Sequence, residues 1–257
     1  SVFKANYIPL FSLPLSIIGL LDDKKNLSRK IRIIGQLMTI IIFLSYGFYL
    51  NNILPWIDLD MIYILILPII FCSLGIINFL NFSDGINGLL AGSLLVTFIY
   101  YTFNINTDFI FLIPIIFVFL YFNWSPAKIF MGDSGSLYLG ALYVYILLSS
   151  SSLNQILYLI FILSPILFDV LITLLRRLFN NYNIFEAHRL HLYQRLVSSR
   201  FTHSQVSCLY LFFSILFALF STFEDLRLII NLFLLMSFIG FYLDKYIAKP
   251  FSNKEIN

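Results

Sequence analysis

The stretch MIYILILPIIFCSLGIINFLNFSDGINGLLAGSLLVTFIYYTF, residues 61–103, decides the fold. Two apolar runs flank one polar turn, and each run approaches the roughly 17–25 residues that a helix needs to cross a hydrocarbon core of about 30 Å. Apolar residues follow one another without the alternation of a lipid-facing strand, so the runs read as helices and not as barrel strands. The rest of the chain has the same texture. It is 60% hydrophobic and 11% charged, with 29 Phe and 16 Tyr, whereas soluble domains average roughly 25% charged residues. Abundant aromatics suit lipid-facing surfaces and the belts at membrane boundaries.

Carrying the same window outward predicts an all-α fold, a polytopic transmembrane helical bundle of about nine spans. They fall near 6–21, 33–50, 61–80, 86–103, 109–123, 136–150, 154–175, 205–222 and 227–246. No segment between them is long enough for a soluble domain, so residues 1–257 read as a single integral membrane domain. The chain starts at Ser1 rather than Met, shows no signal peptide, and already reads as a span over 7–21. The expectation is that further N-terminal sequence precedes it. Cys72 and Cys208 sit in apolar runs and read as buried small hydrophobes, with neither a disulfide nor a metal site inferred.

Nine alternating spans put loops 22–32, 81–88, 124–135, 176–204 and the C-terminal tail on one side. Of the sixteen Lys and Arg, only Lys4 and Arg227 fall on the other, leaving fourteen on the first. That positive-inside bias makes the first side cytoplasmic. The net charge of +3 therefore reads as basic loops facing anionic headgroups or a phosphorylated substrate, not as affinity for nucleic acid.

Four polar islands lie on that same side. Acids are expensive in hydrocarbon, so acids gathered at span ends point to a site. Asp22-Asp23 closes the first span and is followed by Lys24-Lys25. Adjacent carboxylates repel and coexist beside a cation or basic neighbours, although a solvated, salt-bridged helix end would look the same. In the second island, Asp84-Gly85-Ile86-Asn87-Gly88 reads as a turn opening the next helix, with Asp84 at or near its N-cap. Asn78 and Asn81 share a face of the preceding helix, and Asp84 and Asn87 have the same spacing. Such amides and carboxylates suit a hard cation or a polar ring; plain capping is the alternative.

The third island, Met131-Gly132-Asp133-Ser134-Gly135-Ser136, places a carboxylate among small residues at a helix start. Open N–H groups there favour a bound phosphate, Asp133 suits Mg²⁺, and Lys128 offers a point charge to the same anion. The order of residues is not that of a P-loop. The fourth island lies in loop 176–204, which carries five arginines and all three histidines, His188, His191 and His203. His188 and His191 have the look of a zinc pair, but no Cys or Glu stands at a matching spacing, and anion contact or structural hydrogen bonding is preferred. Asp169, inside a span, reads either as functional or as an ion-pair partner of Arg176 or Arg177.

At these residues the chain resembles the polyprenyl-phosphate N-acetylhexosamine-1-phosphate transferases, glycosyl transferase family 4. The matching stretches are LLDDKKNLS (20–28), NFLNFSDGINGLLAG (78–92), FNWSPAKIFMGDSGSLYLG (122–140), DVLITLLRRL (169–178) and FEAHRLHLYQRL (185–196), in family order. The resemblance implies that undecaprenyl phosphate attacks a UDP-N-acetylhexosamine at its β-phosphorus, releasing UMP. By the same analogy Asp133 and Asn81 coordinate Mg²⁺ (Mn²⁺ being the alternative), and Asp84 supports the metal or nucleotide site. Asn87 lies near the uracil, with Asn78 and Lys128 also on the substrate. Asp22 and Asp23 face the lipid phosphate, His188 with Arg189 the diphosphate, and His191 is a further substrate-binding residue. The implied location is a bacterial inner membrane with the site at its cytoplasmic face; a homodimer is compatible with this reading.

Two departures qualify the match. Asn87 stands where many members have a second Asp, and the histidine motif continues as Tyr193-Gln194. This wording resembles members that initiate O-antigen or related surface polysaccharides. The runner-up is the phospho-N-acetylmuramoyl-pentapeptide transferase of peptidoglycan synthesis. A cation-coupled transporter fits less well, since its ionisable groups belong near the midplane, often within repeated spans.

Overall fold

The computed structural model describes residues 7–50, 53–183, 186 and 188–252. Lys4 and Lys254 of the charge count lie outside the described residues. Among the described residues ten α-helices run in the order α1 Ile8–Lys25, α2 Arg29–Leu50, α3 Leu59–Phe82, α4 Leu89–Asn104, α5 Leu112–Asn123, α6 Gly132–Leu148, α7 Leu153–Phe179, α8 Leu192–Ser199, α9 His203–Ser221 and α10 Leu226–Tyr246. A 3-10 turn, Thr107–Phe109, separates α4 from α5, and there is no strand among the described residues.

Each of the nine predicted segments coincides with a helix, and five are long and apolar enough to cross a membrane. These are Arg29–Gly47, Asp60–Phe82, Leu153–Phe179, His203–Ser221 and Leu226–Tyr246. The remaining four fall outside that group by length or by charge. At about 1.5 Å per residue, the 16 residues of α4 and the 12 of α5 fall short of a bilayer core of about 30 Å. The 17 residues of α6 are also short. The 18 residues of α1 end in Asp22-Asp23-Lys24-Lys25.

The chain divides into two compact units. The first comprises Ser1–Asn81, Tyr101–Phe109 and Met131–Leu159, and the second Phe82–Tyr100, Ile110–Phe130 and Ile160–Asn257.

In the first unit α1 packs chiefly on α6 and, less extensively, on α2. Ser12, Ser16 and Gly19 recur at helical spacing on α1, and such small residues let membrane helices approach closely. Ser16 Oγ meets Ser134 Oγ at 2.9 Å. A Cβ at Gly19 would lie 2.5 Å from the Asp133 carbonyl carbon, so the two backbones nearly touch there. From Ser136 to Leu148, α6 is buried except at half-buried Tyr138. A helix apolar all round belongs in an interior of this kind. By contrast only 17% of the apolar stretch of α3 is buried. This is why Cys72 is exposed, as is Cys208 on α9. The expectation that both cysteines are buried is corrected accordingly.

In the second unit α9 opens with a reciprocal capping box. Thr202 Oγ1 accepts from the Gln205 N–H at 3.2 Å, and Gln205 Oε1 accepts from the Thr202 N–H at 2.9 Å. The 83–88 segment is a turn, and α4 starts at Leu89 rather than at 86. Asp84 is therefore not its N-cap, and Asp84 and Asn87 do not share a helical face, contrary to the sequence reading. Gly88 adopts φ 79°, a conformation that favours glycine. Its N–H donates to Asn123 Oδ1 at 2.9 Å, while Asn123 Nδ2 donates to the Ile129 carbonyl at 2.9 Å. One buried amide thus ties that turn to the 124–130 loop.

Candidate active site

The first unit gathers Asp22, Asp23, Asn81 and Asp133, four of the residues singled out from the sequence, and adds a fifth that was not. Arg32, in the first turn of α2, donates from Nη1 to Asp22 Oδ2 at 2.9 Å and to Asp133 Oδ2 at 3.2 Å. Asn81, at the end of α3, donates from Nδ2 to Asp133 Oδ1 and to Ser136 Oγ, both at 2.9 Å. Asp22 Oδ1 also accepts the Leu27 N–H at 2.6 Å, which fixes the exit from α1.

The two adjacent acids do different work. Asp23 accepts the backbone N–H groups of Asp133 at 3.1 Å and Ser134 at 3.4 Å. Its carboxylate sits where the sequence reading put a phosphate, and it caps α6 from a distant part of the chain. Gly132 makes room for this. It has φ 60°, and a Cβ there would come within 2.7 Å of Asp23 Oδ2. Asn78 forms a reciprocal amide pair with Gln36 (2.9 and 3.3 Å) and donates to the Leu74 carbonyl at 2.8 Å.

Burial raises the pKa of Asp133 above the ordinary carboxylate value, and the Asp22 carboxylate beside it raises it further. Asn81 and Arg32 pull it down. One guanidinium nitrogen shared by two acids leaves negative charge in excess, which is the environment a divalent cation relieves. Mg²⁺ prefers oxygen donors and is held by one or two carboxylates together with phosphate oxygens and water. Among the described residues no three His, Cys, Asp or Glu are gathered as a metal site. A metal ion held here would take Asp133, and the amide oxygen of Asn81 only once that amide turns over, since its Nδ2 now faces Asp133 Oδ1.

The second unit holds the other expected residues. Asp169 of α7 accepts from the N–H groups of Leu192 (2.8 Å) and Tyr193 (3.0 Å), from Tyr210 Oη (2.7 Å) and from Thr173 Oγ1 (3.2 Å). It caps α8, the one helix absent from the sequence expectation. Its expected partners are engaged elsewhere. Arg176 pairs with Asp244 at 2.6 Å, Arg195 pairs with the same carboxylate, and Arg177 donates to the carbonyls of Asn183 and Glu186.

The His188 and His191 rings lie 4.9 Å apart, and His191 stacks on Tyr193 at 5.3 Å. Burial, followed by the positive charge around them, lowers the pKa of each to about 3. At neutral pH both are uncharged, so they offer hydrogen bonds and not the positive charge that diphosphate contact suggests. Asn87 is fastened through its backbone: its N–H donates to His203 Nδ1 at 3.3 Å, and its carbonyl accepts from Ser207 Oγ at 2.8 Å. Asp84 is half-buried, while Lys128 and Arg189 are exposed. A Cβ at Gly85 would reach 2.6 Å from Tyr193 Oη, and that hydroxyl donates to the Phe82 carbonyl at 2.8 Å.

The family model described as glycosyl transferase family 4 matches residues 6–151. A Bacillus subtilis (strain 168) protein named "Probable undecaprenyl-phosphate N-acetylglucosaminyl 1-phosphate transferase" is 30% identical over 202 residues, 73% of this chain and 56% of the relative. Proteins named phospho-N-acetylmuramoyl-pentapeptide-transferase are similar too. The one from Staphylococcus saprophyticus is 34% identical over 178 residues, covering 59% of this chain and 54% of its own length. One from Staphylococcus aureus is 34% identical over 189 residues, covering 63% and 58%. The chain spans about half the length of these curated relatives.

Proposed function

We propose that this chain, which belongs to glycosyl transferase family 4, carries the transfer centre of a membrane-bound sugar-1-phosphate transferase. In this reading an oxygen of undecaprenyl phosphate attacks the β-phosphorus of a UDP-N-acetylhexosamine. The bond to the α-phosphate oxygen breaks, and polyprenyl-diphospho-sugar and UMP are formed. The observation that carries the reading is the pairing of Asp22 and Asp133 on one Arg32 guanidinium, with Asn81 on the other oxygen of Asp133.

Phosphoryl transfer needs positioned charge more than covalent help. The second pKa of a phosphate monoester is about 6, so the lipid nucleophile is already mostly ionised at neutral pH, and Asp22 serves to position rather than to deprotonate. Arg32 holds both acids and presents its remaining N–H groups to phosphate oxygens. Asp23 fixes the first turn of α6 and with it the Asp133 side chain. Asp133 and Asn81 would hold Mg²⁺, which when bound supplies charge neutralisation at the diphosphate. For the second unit, described by itself, the family resemblance keeps Asp84, Asn87, Lys128, His188, Arg189 and His191 as candidates for substrate contact.

The excess of basic residues on one side favours nine crossings, with these loops at the cytoplasmic face of a bacterial inner membrane. The product would start a cell-surface polysaccharide. Relatives named for the muramoyl-pentapeptide reaction support a second reading with a different UDP-sugar.

Both readings are tested by incubating the purified chain with undecaprenyl phosphate, Mg²⁺ and a panel of UDP-sugars and measuring UMP. Release should require lipid and metal and fall roughly 10³-fold or more in Asp133→Ala. Undiminished release in that variant removes the assignment. Release without lipid makes the protein a hydrolase, and the sugar that turns over chooses between the two readings.

A further inference from the structure

A chamber of about 260 Å³ lies in the second unit, between α7, α9 and α10, with Leu192 and Arg195 of α8 in its wall. Helix α10 is fastened to α7 at two places. At Phe233 its ring meets Phe161 and Phe168, with centroids 5.6 and 5.1 Å apart. At Asp244 its carboxylate meets Arg176 at 2.6 Å and also Arg195. The residues that α10 contributes to the chamber wall lie from Met236 to Asp244, between the fastenings or at the second. The helices are held apart over this interval, and the gap is a feature of the packing.

Gly240 of α10 faces that gap. A Cβ there would meet nothing within 4 Å, so no close approach demands a glycine, although glycine weakens a helix interior relative to alanine. What the glycine leaves is width. The volume has room for about nine water-sized groups at about 30 Å³ each, the scale of a stretch of one hydrocarbon chain. The middle of the wall is apolar, with Pro165, Phe168, Phe213 and Met236, and apolar cavities stay dry. Three of the four helices that line it, α7, α9 and α10, are long and apolar enough to cross a membrane, so the filler at hand is hydrocarbon.

The far end of the chamber is charged. Asp169 is satisfied by four donors of its own. Arg195 also donates to the carbonyls of Leu190 and Lys249. Asp169 and Asp244 balance Arg176 and Arg195 in number, but the side chains of Asp169, Arg195 and Asp244 are only 4%, 6% and 15% exposed, so Arg176 is the charge most open to an entering group. The Arg176 side chain is 35% exposed. A group with one negative charge, joined to an aliphatic chain, complements both ends.

We propose that this chamber takes one acyl chain of an anionic phospholipid of the bilayer, with the phosphodiester at Arg176. The inference does not depend on the transferase reading, and neither fails with the other.

The test is native mass spectrometry of the full chain released from bacterial membranes in mild detergent, with the retained lipid identified by class. The unaltered protein should carry one anionic phospholipid. Gly240→Ala should keep it, and Gly240→Leu, whose side chain grows into the gap, should lose it. Arg176→Lys should retain binding. Arg176→Gln should weaken it about fivefold, the worth of one basic residue near an anionic surface. If Gly240→Leu does not fold, the Arg176 pair decides by itself. Equal retention by Gly240→Leu, or retention indifferent to charge at 176, overturns the proposal. So does finding polyprenyl phosphate in the chamber, which would give it to a substrate. A dimer mass that Gly240→Leu abolishes would give it to a second copy of the chain.

Discussion

Asp133, half-buried in the first turn of α6, and Asp169, buried midway along α7 beside the start of α8, are treated in opposite ways. Asp169 receives four neutral donors and no competing acid, and the ring nearest to it, His191 with Nδ1 at 4.0 Å, is neutral. Asp133 shares one guanidinium nitrogen with Asp22, and its pKa is pushed up by burial and by that neighbour. A saturated acid has nothing left to bind with, and its removal unfolds something. An acid in excess of its cations retains an appetite for positive charge. That difference, more than burial, is the ground for proposing Asp133 as the working acid, since Asp169 is the more deeply buried of the two.

The comparison is most exposed to failure at Asp169. Replacement by Ala strands the first N–H groups of α8 and the Tyr210 hydroxyl, which should cost about 3 kcal/mol. A fall in thermal midpoint with earlier protease cleavage near 180–191 would register it; unchanged stability would mean that the four bonds are dispensable. Next in size is Arg32→Ala, with an expected loss of about 10²-fold in kcat/KM. Removing a cation that lowers the Asp133 pKa raises it further, so the acidic limb of the pH–rate profile should move to higher pH, and Arg32→Lys should restore part of that shift. A profile that does not move would take Asp133 out of the rate equation.

Gly19→Ala comes third. Its Cβ would overlap the Asp133 backbone at 2.5 Å, for a destabilisation of about 1–3 kcal/mol, measurable as a lower midpoint together with weaker dependence on added Mg²⁺. The smallest effect belongs to the histidines. Their pKa values of about 3 in the folded chain lie below the unfolded value of about 6.5, so the unfolded chain binds more protons between the two. The stability they confer is complete above about 6.5 and is lost as pH falls toward 3. His191→Gln should flatten stability across that window, and an unchanged slope would refute the neutral-histidine assignment.

Much of this could be read from the chain itself. Helices followed from apolar run length, and the clustered acids stood out because few charges are affordable in such a composition. Asp22, Asp23, Asn81 and Asp133 were found that way. Arg32 was not, because the basic run Arg29-Lys30-Ile31-Arg32 looks like any topology-setting loop. Only the fold reveals which of its cations turns toward Asp133, 101 residues away. The division of labour within Asp22-Asp23 was hidden for the same reason, as was α8, whose cap lies on another helix. Gln36 did offer a signal, being an amide inside an apolar run, and its pairing with Asn78 explains why it is there.

The cap on α6 also bears on biogenesis. Asp23 and the backbone it holds are separated by 110 residues, which a ribosome working at about 5–20 residues per second delivers over roughly ten seconds. For that interval the nascent chain carries two neighbouring acids at the end of a membrane-bound segment whose intended mate has yet to be synthesised. The two lysines that follow them immediately, Lys24 and Lys25, are available from the first moment as stand-in counterions.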